Sequence, residues 1–376
     1  MIKRIFLIYV SLFLFVGVVN ALERPDREFK IFQFPSDKIP VIDGDSSDWQ
    51  IVPDDYAVGM DELEDDVYKS PIDKKDKDAN VRVGWVKGLN VLYFLYESYD
   101  DYWRVSKDDL INDIFEISVD GDASGDTLIM NMHPDAETIG LNNLFFAMHG
   151  VHAQNYHIFT PPGEKNWCFV WGSARWAKYL PWANAAYKKD FKGDSGKLTL
   201  EFWITPFDYA SWEGPDRSIP SKLEENKIIG LTWGISDYDS ILIDGRPSGN
   251  NYDGQFNLSH DIHWFVGGAN ACAFRLMPLE PKFRPMIKAW ADFKIIDMEK
   301  HLVAFIDHSS GNINKWTWDF GDGTTSNEPN PIHVFKNPQH YGESLPKPIT
   351  LTVAGPDGTS RFSFVHEEIF IKKGQK

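Results

Sequence analysis

Residues 316–323 read WTWDFGDG, and this stretch decides the fold of the C-terminal part of the chain. Trp316, Trp318 and Phe320 alternate with other residues, so their side chains share one face of a strand. Gly321 and Gly323 supply the positive φ angles that a tight hairpin turn requires. A tryptophan-rich strand that runs directly into such a turn is typical of the core of a β-sandwich.

The surrounding sequence continues this pattern, with FIDHSSG at 305–311 and PIHVF at 331–335. Together the three segments resemble the PKD domain, an immunoglobulin-like β-sandwich, and we assign residues 292–376 to it. The resemblance implies a non-catalytic spacer or adhesion module attached to catalytic or sugar-binding partners. Three aspartates of the domain are candidate calcium ligands: Asp307, Asp319 and Asp322. The alternative is that Asp319 and Asp322 hydrogen-bond the backbone of their own turn.

The composition of the whole chain limits its size class and its partners. The 376 residues are 43% hydrophobic, which predicts two domains with real cores. The 38 basic and 55 acidic residues give a formal net charge of -17. This charge repels phosphate backbones and anionic lipid headgroups, so we expect neither nucleic-acid binding nor membrane insertion.

The chain is expected to be exported and to divide at a proline-rich connection. Residues 1–21 are interpreted as a cleaved signal peptide, because Lys3 and Arg4 precede an apolar run and small residues precede position 22. This predicts a secreted or periplasmic protein, and no cysteine near the cleavage site offers a lipid anchor. Residues 281–291 are the predicted linker between a first domain at 22–280 and the PKD domain.

Short alternating segments predict an all-β chain. Residues 81–97 contain two apolar runs around a KGLN turn and predict a hairpin. Residues 198–204 and 349–353 alternate apolar and polar side chains. We therefore predict two β-sandwiches, of which the first is jelly-roll-like. A large insertion of irregular, aromatic-rich loops is expected at about 130–195.

Five segments of the first domain resemble, in their order, the family 9 carbohydrate-binding modules and their relatives, over residues 30–278. They are PVIDGDSSDW at 40–49, LYFLYESYD at 92–100, DIFE at 113–116, EFWI at 201–204 and IGLTWGISD at 229–237. The resemblance implies a β-sandwich with a sugar-binding cleft and no catalytic activity of its own.

Glu116 is the first candidate sugar ligand. The resemblance places the glutamate of the DIFE segment in the cleft. The residues agree, because Phe115, Ile117 and Val119 alternate inward and leave Glu116 on the other face of the strand. The alternative is a solvated carboxylate on the face of the sheet.

The aromatic walls of the implied cleft are less regular. Leu110 stands where the family has a tryptophan, and Trp103 is the candidate substitute. The resemblance matches the second wall to Asn250, Asn251 and Tyr252. Four tryptophans of the insertion either form a replacement platform or pack the insertion onto the sheet: Trp167, Trp171, Trp176 and Trp182.

Two aspartate-rich turns are candidate calcium sites, because calcium takes six to eight oxygen ligands. Their residues are Asp43, Asp45 and Asp48 in the first turn, and Asp120, Asp122 and Asp126 in the second. The highly charged residues 61–80 are instead predicted to be a solvated loop without a site.

Cys168 and Cys272 are the two cysteines of the chain. In an oxidising compartment they either form a disulfide or stay as two separately buried thiols.

The sequence lacks the catalytic signatures of several enzyme classes, since it contains no G-x-S-x-G, H-E-x-x-H or P-loop motif. His260 and His263 are interpreted as structural. We therefore predict a non-catalytic, exported protein that binds carbohydrate or polysaccharide for extracellular partner enzymes. Calcium is the one cofactor expected. The alternatives are a structural or adhesion protein without sugar binding, and a glycoside hydrolase accessory chain with activity in the insertion.

Overall fold

The structure is a computed structural model. It describes residues 22–104, 112–125, 149–163, 166–170, 172–239, 253–261, 268–297, 299–335 and 348–365, with the single positions 110, 138 and 140. The chain divides into two compact units, Met1–Pro278 and Leu279–Lys376. The predicted signal peptide lies outside the described residues.

The described part of the first unit consists of strands and short 3₁₀ helices. The strands are β1 (Glu23–Gln33), β2 (Val58–Gly59), β3 (Glu64–Asp65), β4 (Lys77–Trp85), β5 (Leu92–Asp100), β6 (Ile114–Asp120), β7 (Gln154–Phe159), β8 (Cys168–Val170), β9 (Ala183–Lys192), β10 (Ser195–Ile204), β11 (Phe207–Tyr209), β12 (Ile219–Pro220), β13 (Ile228–Asp237), β14 (Gly254–Asn257) and β15 (Cys272–Leu276). The 3₁₀ helices are Ser46–Ile51, Asp54–Tyr56, Met60–Glu62, Gly172–Lys178, Pro215–Arg217 and Gly268–Asn270. None of the described helices has the length and apolar character that crossing a bilayer requires.

One strand joins the two layers of the first unit. The strand order is β8-β7-β6-β13-β15-β1-β4-β5-β10-β9. The N-terminal part of β1 pairs in parallel with β15, whereas Phe32 and Gln33 pair in parallel with β4. We call β8, β7, β6, β13 and β15, together with β14 and β3, the first layer. The second layer consists of β4, β5, β10 and β9.

Aromatic side chains fill the space between the layers. Phe94 and Phe202 stack within the second layer, with their ring centroids 4.6 Å apart. Tyr96 of the second layer stacks on Phe115 of the first layer at 4.4 Å. All four side chains are completely buried. The prediction of an all-β sandwich is confirmed, as is the hairpin, which is formed by β4 and β5.

The prediction of irregular loops at 130–195 is wrong for three described segments. Strands β7, β8 and β9 lie in this stretch, and β7 and β8 extend the first layer while β9 extends the second. The sequence of β7 does alternate polar and apolar residues, and its apolar Tyr156 and Ile158 are completely buried. Asn155 and His157 lie on the opposite face of the strand, beside Ser118 and Glu116 of β6.

A buried carboxylate joins the 40–49 segment to β10. Glu201 is completely buried and accepts hydrogen bonds from Gly44 N at 2.7 Å, Asp43 N at 3.2 Å and Trp49 Nε1 at 2.9 Å. Gly44 has φ of 82°, and a Cβ there would lie 2.4 Å from the backbone carbon of Tyr187. Only glycine therefore fits this turn. Two of the five motif segments thus meet at one side chain.

Cys168 and Cys272 are free and buried, so the disulfide alternative is wrong and the alternative of two separate thiols describes the structure. Cys168 begins β8 and Cys272 begins β15, and three strands of the same layer, β7, β6 and β13, lie between these two. At about 4.8 Å per strand this separation is far beyond the reach of a disulfide.

The second unit contains seven described strands in two sheets. They are β16 (Ala291–Asp297), β17 (Leu302–Asp307), β18 (Lys315–Asp319), β19 (Thr325–Ser326), β20 (Ile332–Val334), β21 (Ile349–Gly355) and β22 (Gly358–Phe364), after a 3₁₀ helix at Pro281–Phe283. The sheets have the orders β16-β17-β20 and β19-β18-β21-β22. Trp318 and Phe305 are completely buried between them, with their rings 5.1 Å apart.

The WTWDFGDG turn has the predicted backbone, with φ of 76° at Gly321 and 89° at Gly323. Its aspartates accept hydrogen bonds from nearby groups. Asp319 accepts from Gly321 N at 2.9 Å, and Asp322 accepts from Thr324 N at 3.0 Å. Asp307 accepts from Trp316 Nε1 at 2.7 Å. Asp319 and Asp322 thus bond the backbone of their own turn, as one alternative predicted. Calcium at the three aspartates stays a prediction.

We predict that Glu201→Ala lowers the free energy of unfolding of the first unit by about 3 kcal/mol, because three donors lose their shared acceptor. The matched control is Glu97→Ala. Glu97 lies on neighbouring β5 and pairs with Arg82 at 3.2 Å with 39% of its side chain exposed, so its loss should cost about 1 kcal/mol or less. Urea unfolding of both variants measures the difference, and equal losses would contradict the role given to Glu201.

Candidate functional site

Strand β6 carries Glu116 on the outer face of the first layer. Phe115, Ile117 and Val119 are completely buried in the core. Glu116 and Ser118 therefore point to the opposite side of the strand. This is the orientation that the alternation predicted for Glu116.

Two neighbours fix the Glu116 carboxylate. Asn155 donates from Nδ2 to Glu116 Oε1 at 2.9 Å, and His157 Nε2 lies 3.1 Å from the same oxygen. Burial alone would raise the pKa of Glu116, but His157 and Asn155 lower it below its usual value. The group is therefore a carboxylate at neutral pH. The side chains of Glu116 and His157 keep 15% and 12% exposure, so solvent reaches them.

Glu116 belongs to a row of cross-strand neighbours on the outer face. In register, each residue of the row pairs with the next: Phe169, His157, Glu116, Gly234, Asn257 and Glu64, on β8, β7, β6, β13, β14 and β3. Residues paired in this way project from the same side of a sheet. Gly234 has no side chain, so the row contains a flat step between Glu116 and Asn257. We call these six residues the Glu116 row.

Hydrogen bonds continue from the row along β14. Ser236 donates from Oγ to Gln255 Oε1 at 2.8 Å, and Gln255 donates from Nε2 to Asn257 Oδ1 at 3.0 Å. Asn257 in turn donates to Asp66. The outer face of the first layer is thus lined with oriented donors and acceptors, which is the chemistry of a polar ligand site.

The prediction that Trp103 replaces a wall of the cleft is wrong. Trp103 is 2% exposed, and its Nε1 donates to Gly196 O at 2.8 Å. Its ring stacks on Phe191 at 5.5 Å. The indole therefore fills the core, and no face of it is left for a sugar.

The other predicted wall residues have mixed outcomes. Leu110 is half-buried. Asn250, Asn251 and Tyr252 lie outside the described residues, as do Trp171 and His263, so the sugar contacts of the 250–252 segment stay a prediction. Trp167 and Trp176 donate from Nε1 to Lys178 O and Ser211 O, both at 2.9 Å, and with Trp182 they pack against the core.

The aspartates of three motif segments meet at a second place, around Lys77. Asp100 ends β5, Asp113 precedes β6 and Asp237 ends β13. Lys77 is completely buried, bonds Asp100 and lies 3.9 Å from Asp237. Asp113 accepts hydrogen bonds from Arg104 N at 2.7 Å and Tyr238 N at 3.0 Å. The prediction that residues 61–80 form a solvated loop is therefore wrong for Lys77.

Opposing effects set the protonation of this cluster. Burial alone would lower the pKa of Lys77, but Asp113 and Asp100 raise it, so Lys77 is charged. Burial raises the pKa of Asp113 to about 7 and that of Asp237 to about 8, although Lys77 opposes both shifts. The cluster thus contains more carboxyl groups than one ammonium neutralises.

The aspartates of the two predicted calcium turns accept hydrogen bonds from the protein's own backbone. Asp43 and Asp45 accept from the backbone of Asp45 and Ser47 at 2.8 and 3.0 Å, and Asp45 pairs with Lys188 at 3.1 Å. Asp48 accepts from Val41 N at 2.9 Å. The three carboxylates of this turn therefore have partners within the protein, and calcium at the turn stays a prediction.

The second turn is also closed by its own backbone. Asp120 accepts from Gly125 N at 2.9 Å and Asp122 from Ser124 N at 3.1 Å, while Asp126 lies outside the described residues. Burial and the adjoining carboxyl of Asp122 raise the pKa of Asp120 to about 7.

Sequence reasoning did not identify His157, Asn155, Gly234 and Asn257 as site residues. A signal existed for β7, where polar and apolar residues alternate. The positions of Gly234 and Asn257 follow from strand order and register, which no local pattern reveals.

Comparison with known proteins finds a family match for the second unit and several similar solved structures. Residues 283–365 match the family model of the PKD domain, which confirms that prediction. Among solved structures, the PKD1 domain of the Vibrio cholerae metalloprotease PrtV is similar at 25% identity, with a TM-score of 0.17 and coverage of 21% of this chain and 93% of that chain.

Two further similar structures are of a family 9 carbohydrate-binding module from Caldicellulosiruptor kristjanssonii. One was solved with cellotriose and one with glucose, each with 13% identity and a TM-score of 0.39. Both cover 68% of this chain, and they are covered over 95% and 97% of their own lengths. No curated protein matches the chain.

We predict that Asp120→Asn stabilises the first unit more at pH 8 than at pH 5. Because the pKa of folded Asp120 is about 7, the folded chain keeps a proton that the unfolded chain loses near pH 4. The wild-type group therefore lowers stability progressively between about pH 4 and pH 7. Urea unfolding with chelator should give a gain of about 1–3 kcal/mol at pH 8. A pH dependence parallel to that of the wild type would contradict this, and exposed Asp26→Asn is the control.

Proposed function

We propose that the first unit binds carbohydrate on the outer face of its first layer, at the Glu116 row. The observation that carries the proposal is the fixed, solvent-reachable carboxylate of Glu116, placed between His157 and the bare backbone of Gly234. The sequence resemblance to family 9 modules led to the same glutamate independently of these contacts.

The chemistry of the row suits a sugar. Sugar hydroxyls donate and accept, so a carboxylate, an imidazole and an amide in line offer both kinds of partner. The carboxylate is already oriented by Asn155 and His157, and less side-chain freedom is lost when a ligand binds. The glycine step leaves room for a flat ring against the sheet.

A non-catalytic role agrees with the protonation of Glu116. A glycosidase needs a carboxylic acid with a raised pKa that protonates the leaving oxygen. Glu116 has the opposite shift, because His157 and Asn155 hold it as a carboxylate. It is therefore suited to accepting hydrogen bonds from hydroxyl groups.

The remaining parts of the proposal concern the setting of the protein. We propose that the chain is exported, and that its PKD domain serves as a spacer or adhesion module. The carbohydrate-binding unit would then hold a glycan or polysaccharide near extracellular partner enzymes. The apolar run of residues 5–19 and the acidic composition are the features that support export and a non-nucleic-acid ligand.

We predict that Glu116→Ala and His157→Ala each weaken glycan binding by about 5- to 150-fold, which corresponds to about 1–3 kcal/mol for the loss of a charge-assisted hydrogen bond. A glycan array of the mature chain identifies the ligand, with cellotriose and glucose among the probes. Isothermal titration calorimetry of the variants then gives the affinities.

Glu97→Ala is the matched control, because Glu97 lies on the second layer and outside the Glu116 row. It should bind glycan like the wild type. If the Glu116 and His157 variants also retain full affinity, the Glu116 row is not the binding site. If no glycan binds to the wild-type chain, the proposal of carbohydrate binding is overturned.

A further inference from the structure

A pocket of about 560 Å³ lies at the β3 end of the Glu116 row. One wall comes from residues 60–65, which contain β3 and the 3₁₀ helix before it, and the other from residues 69–74 of the loop that leads to β4. Glu64, the last residue of the row, belongs to the lining. Lys74 pairs with Asp61 at 2.6 Å, so an ion pair joins the two walls.

Asp65 holds the second wall in place. Its buried carboxylate accepts hydrogen bonds from Val67 N at 2.9 Å, Tyr68 N at 3.2 Å and Ser70 Oγ at 3.2 Å. Lys69, in the same turn, has φ of 54°, a conformation that residues with a Cβ seldom adopt. The wall is therefore shaped before a ligand arrives, and less entropy is lost when one binds.

The lining combines apolar side chains with a few polar groups. Leu63 is buried, and Ile72 packs against the core. Lys69 and Glu64 keep 58% and 50% of their side chains exposed. Lys69 donates to Asp66 at 2.6 Å, and because an ammonium has three N–H donors it can bond a ligand as well. Size and lining are those of a pocket for a small organic molecule with several polar groups.

Two connections join the pocket to the Glu116 row. Glu64 lines the pocket and pairs in register with Asn257. Asn257 donates to Asp66, which also accepts from Lys69. From Glu116 to Glu64 the row crosses from β6 over β13 and β14 to β3, which is three strand spacings or about 14 Å. A single sugar ring is too short to contact both ends.

We propose that this pocket is a further subsite for an oligosaccharide that also contacts Glu116. The inference rests on the proposed function of the Glu116 row, and it specifies the ligand as a chain of several sugar units rather than a monosaccharide. The apolar lining contacts the C–H groups of a ring, while Lys69 and Glu64 bond its hydroxyls. The charged segment 61–80, which was predicted to contain no site, then supplies one.

The test is isothermal titration calorimetry of the mature full-length chain. The probes are chains of one to four linked units of glucose, xylose, mannose or N-acetylglucosamine. In the series that binds, the tetrasaccharide should bind about tenfold or more tightly than the monosaccharide, because it reaches both the Glu116 row and the pocket. Equal affinities would overturn the subsite and leave the proposed function intact. If no probe binds, both are overturned.

Variants locate the gain in affinity. Lys69→Ala should weaken tetrasaccharide binding about fivefold or more and leave monosaccharide binding unchanged, because only the longer ligand reaches the pocket. Ser70→Trp places a large side chain at an exposed position of the lining, and it should act in the same way. It is the second variant in case Lys69→Ala does not fold.

Two further variants serve as references. Lys75→Ala is the matched control, because Lys75 is an exposed lysine of the same loop outside the pocket lining. It should bind every probe like the wild type. Glu116→Ala should weaken binding at all chain lengths. The inference is overturned if Lys69→Ala and Ser70→Trp both bind the tetrasaccharide as tightly as Lys75→Ala does.

Discussion

The buried pair of Lys77 and Asp100 is the constraint on which one end of the first sandwich depends. Lys77 occupies an inward position of β4, where an apolar residue would normally stand, and Trp103 lies over its ammonium at 4.2 Å. An ammonium in this place is tolerated only because carboxylates from β5, β13 and the segment before β6 surround it. The charge of Lys77 in turn permits Asp113 and Asp237 to lie in the interior, so the strands that supply them are fixed relative to β4.

Glu201 on β10 is a second buried carboxylate with a structural role. Together with the Lys77 cluster, it gives the motif segments a physical meaning. Glu201 binds the DG turn and Trp49, while Asp100, Asp113 and Asp237 meet at Lys77. These motif residues therefore stabilise the sandwich. Glu116 is the exception, because it lies three residues after Asp113 and on the opposite face from the core. The short DIFE segment thus carries one carboxylate inside the sandwich, Asp113, and one on its outer face, Glu116, and only their faces distinguish them.

Local patterns predicted what depends on local physics. The WTWDFGDG turn, the hairpin of β4 and β5 and the orientation of Glu116 follow from alternation and from glycine positions. Predictions that required distant contacts were less successful. Trp103 was predicted to line the cleft because it lies seven residues before Leu110, where the family has a tryptophan, but Phe191 and Gly196 bury it. Lys77 lies in a run of charges that indicated solvent, and residues 23 to 160 positions away bury it. The row from His157 to Asn257 depends on strand order, which a single sequence does not contain.

The most direct test is urea unfolding of Lys77→Met at neutral pH in the presence of chelator. Methionine keeps most of the apolar stem and removes the charge, so the measurement isolates the ammonium from its packing. We expect a loss of about 3–5 kcal/mol, because the surrounding carboxylates would be left without their cation. Lys30→Met, which removes an exposed partner of Asp55, should cost about 1 kcal/mol or less. A Lys77→Met chain that unfolds at the same urea concentration as the wild type would contradict the organising role of this buried charge.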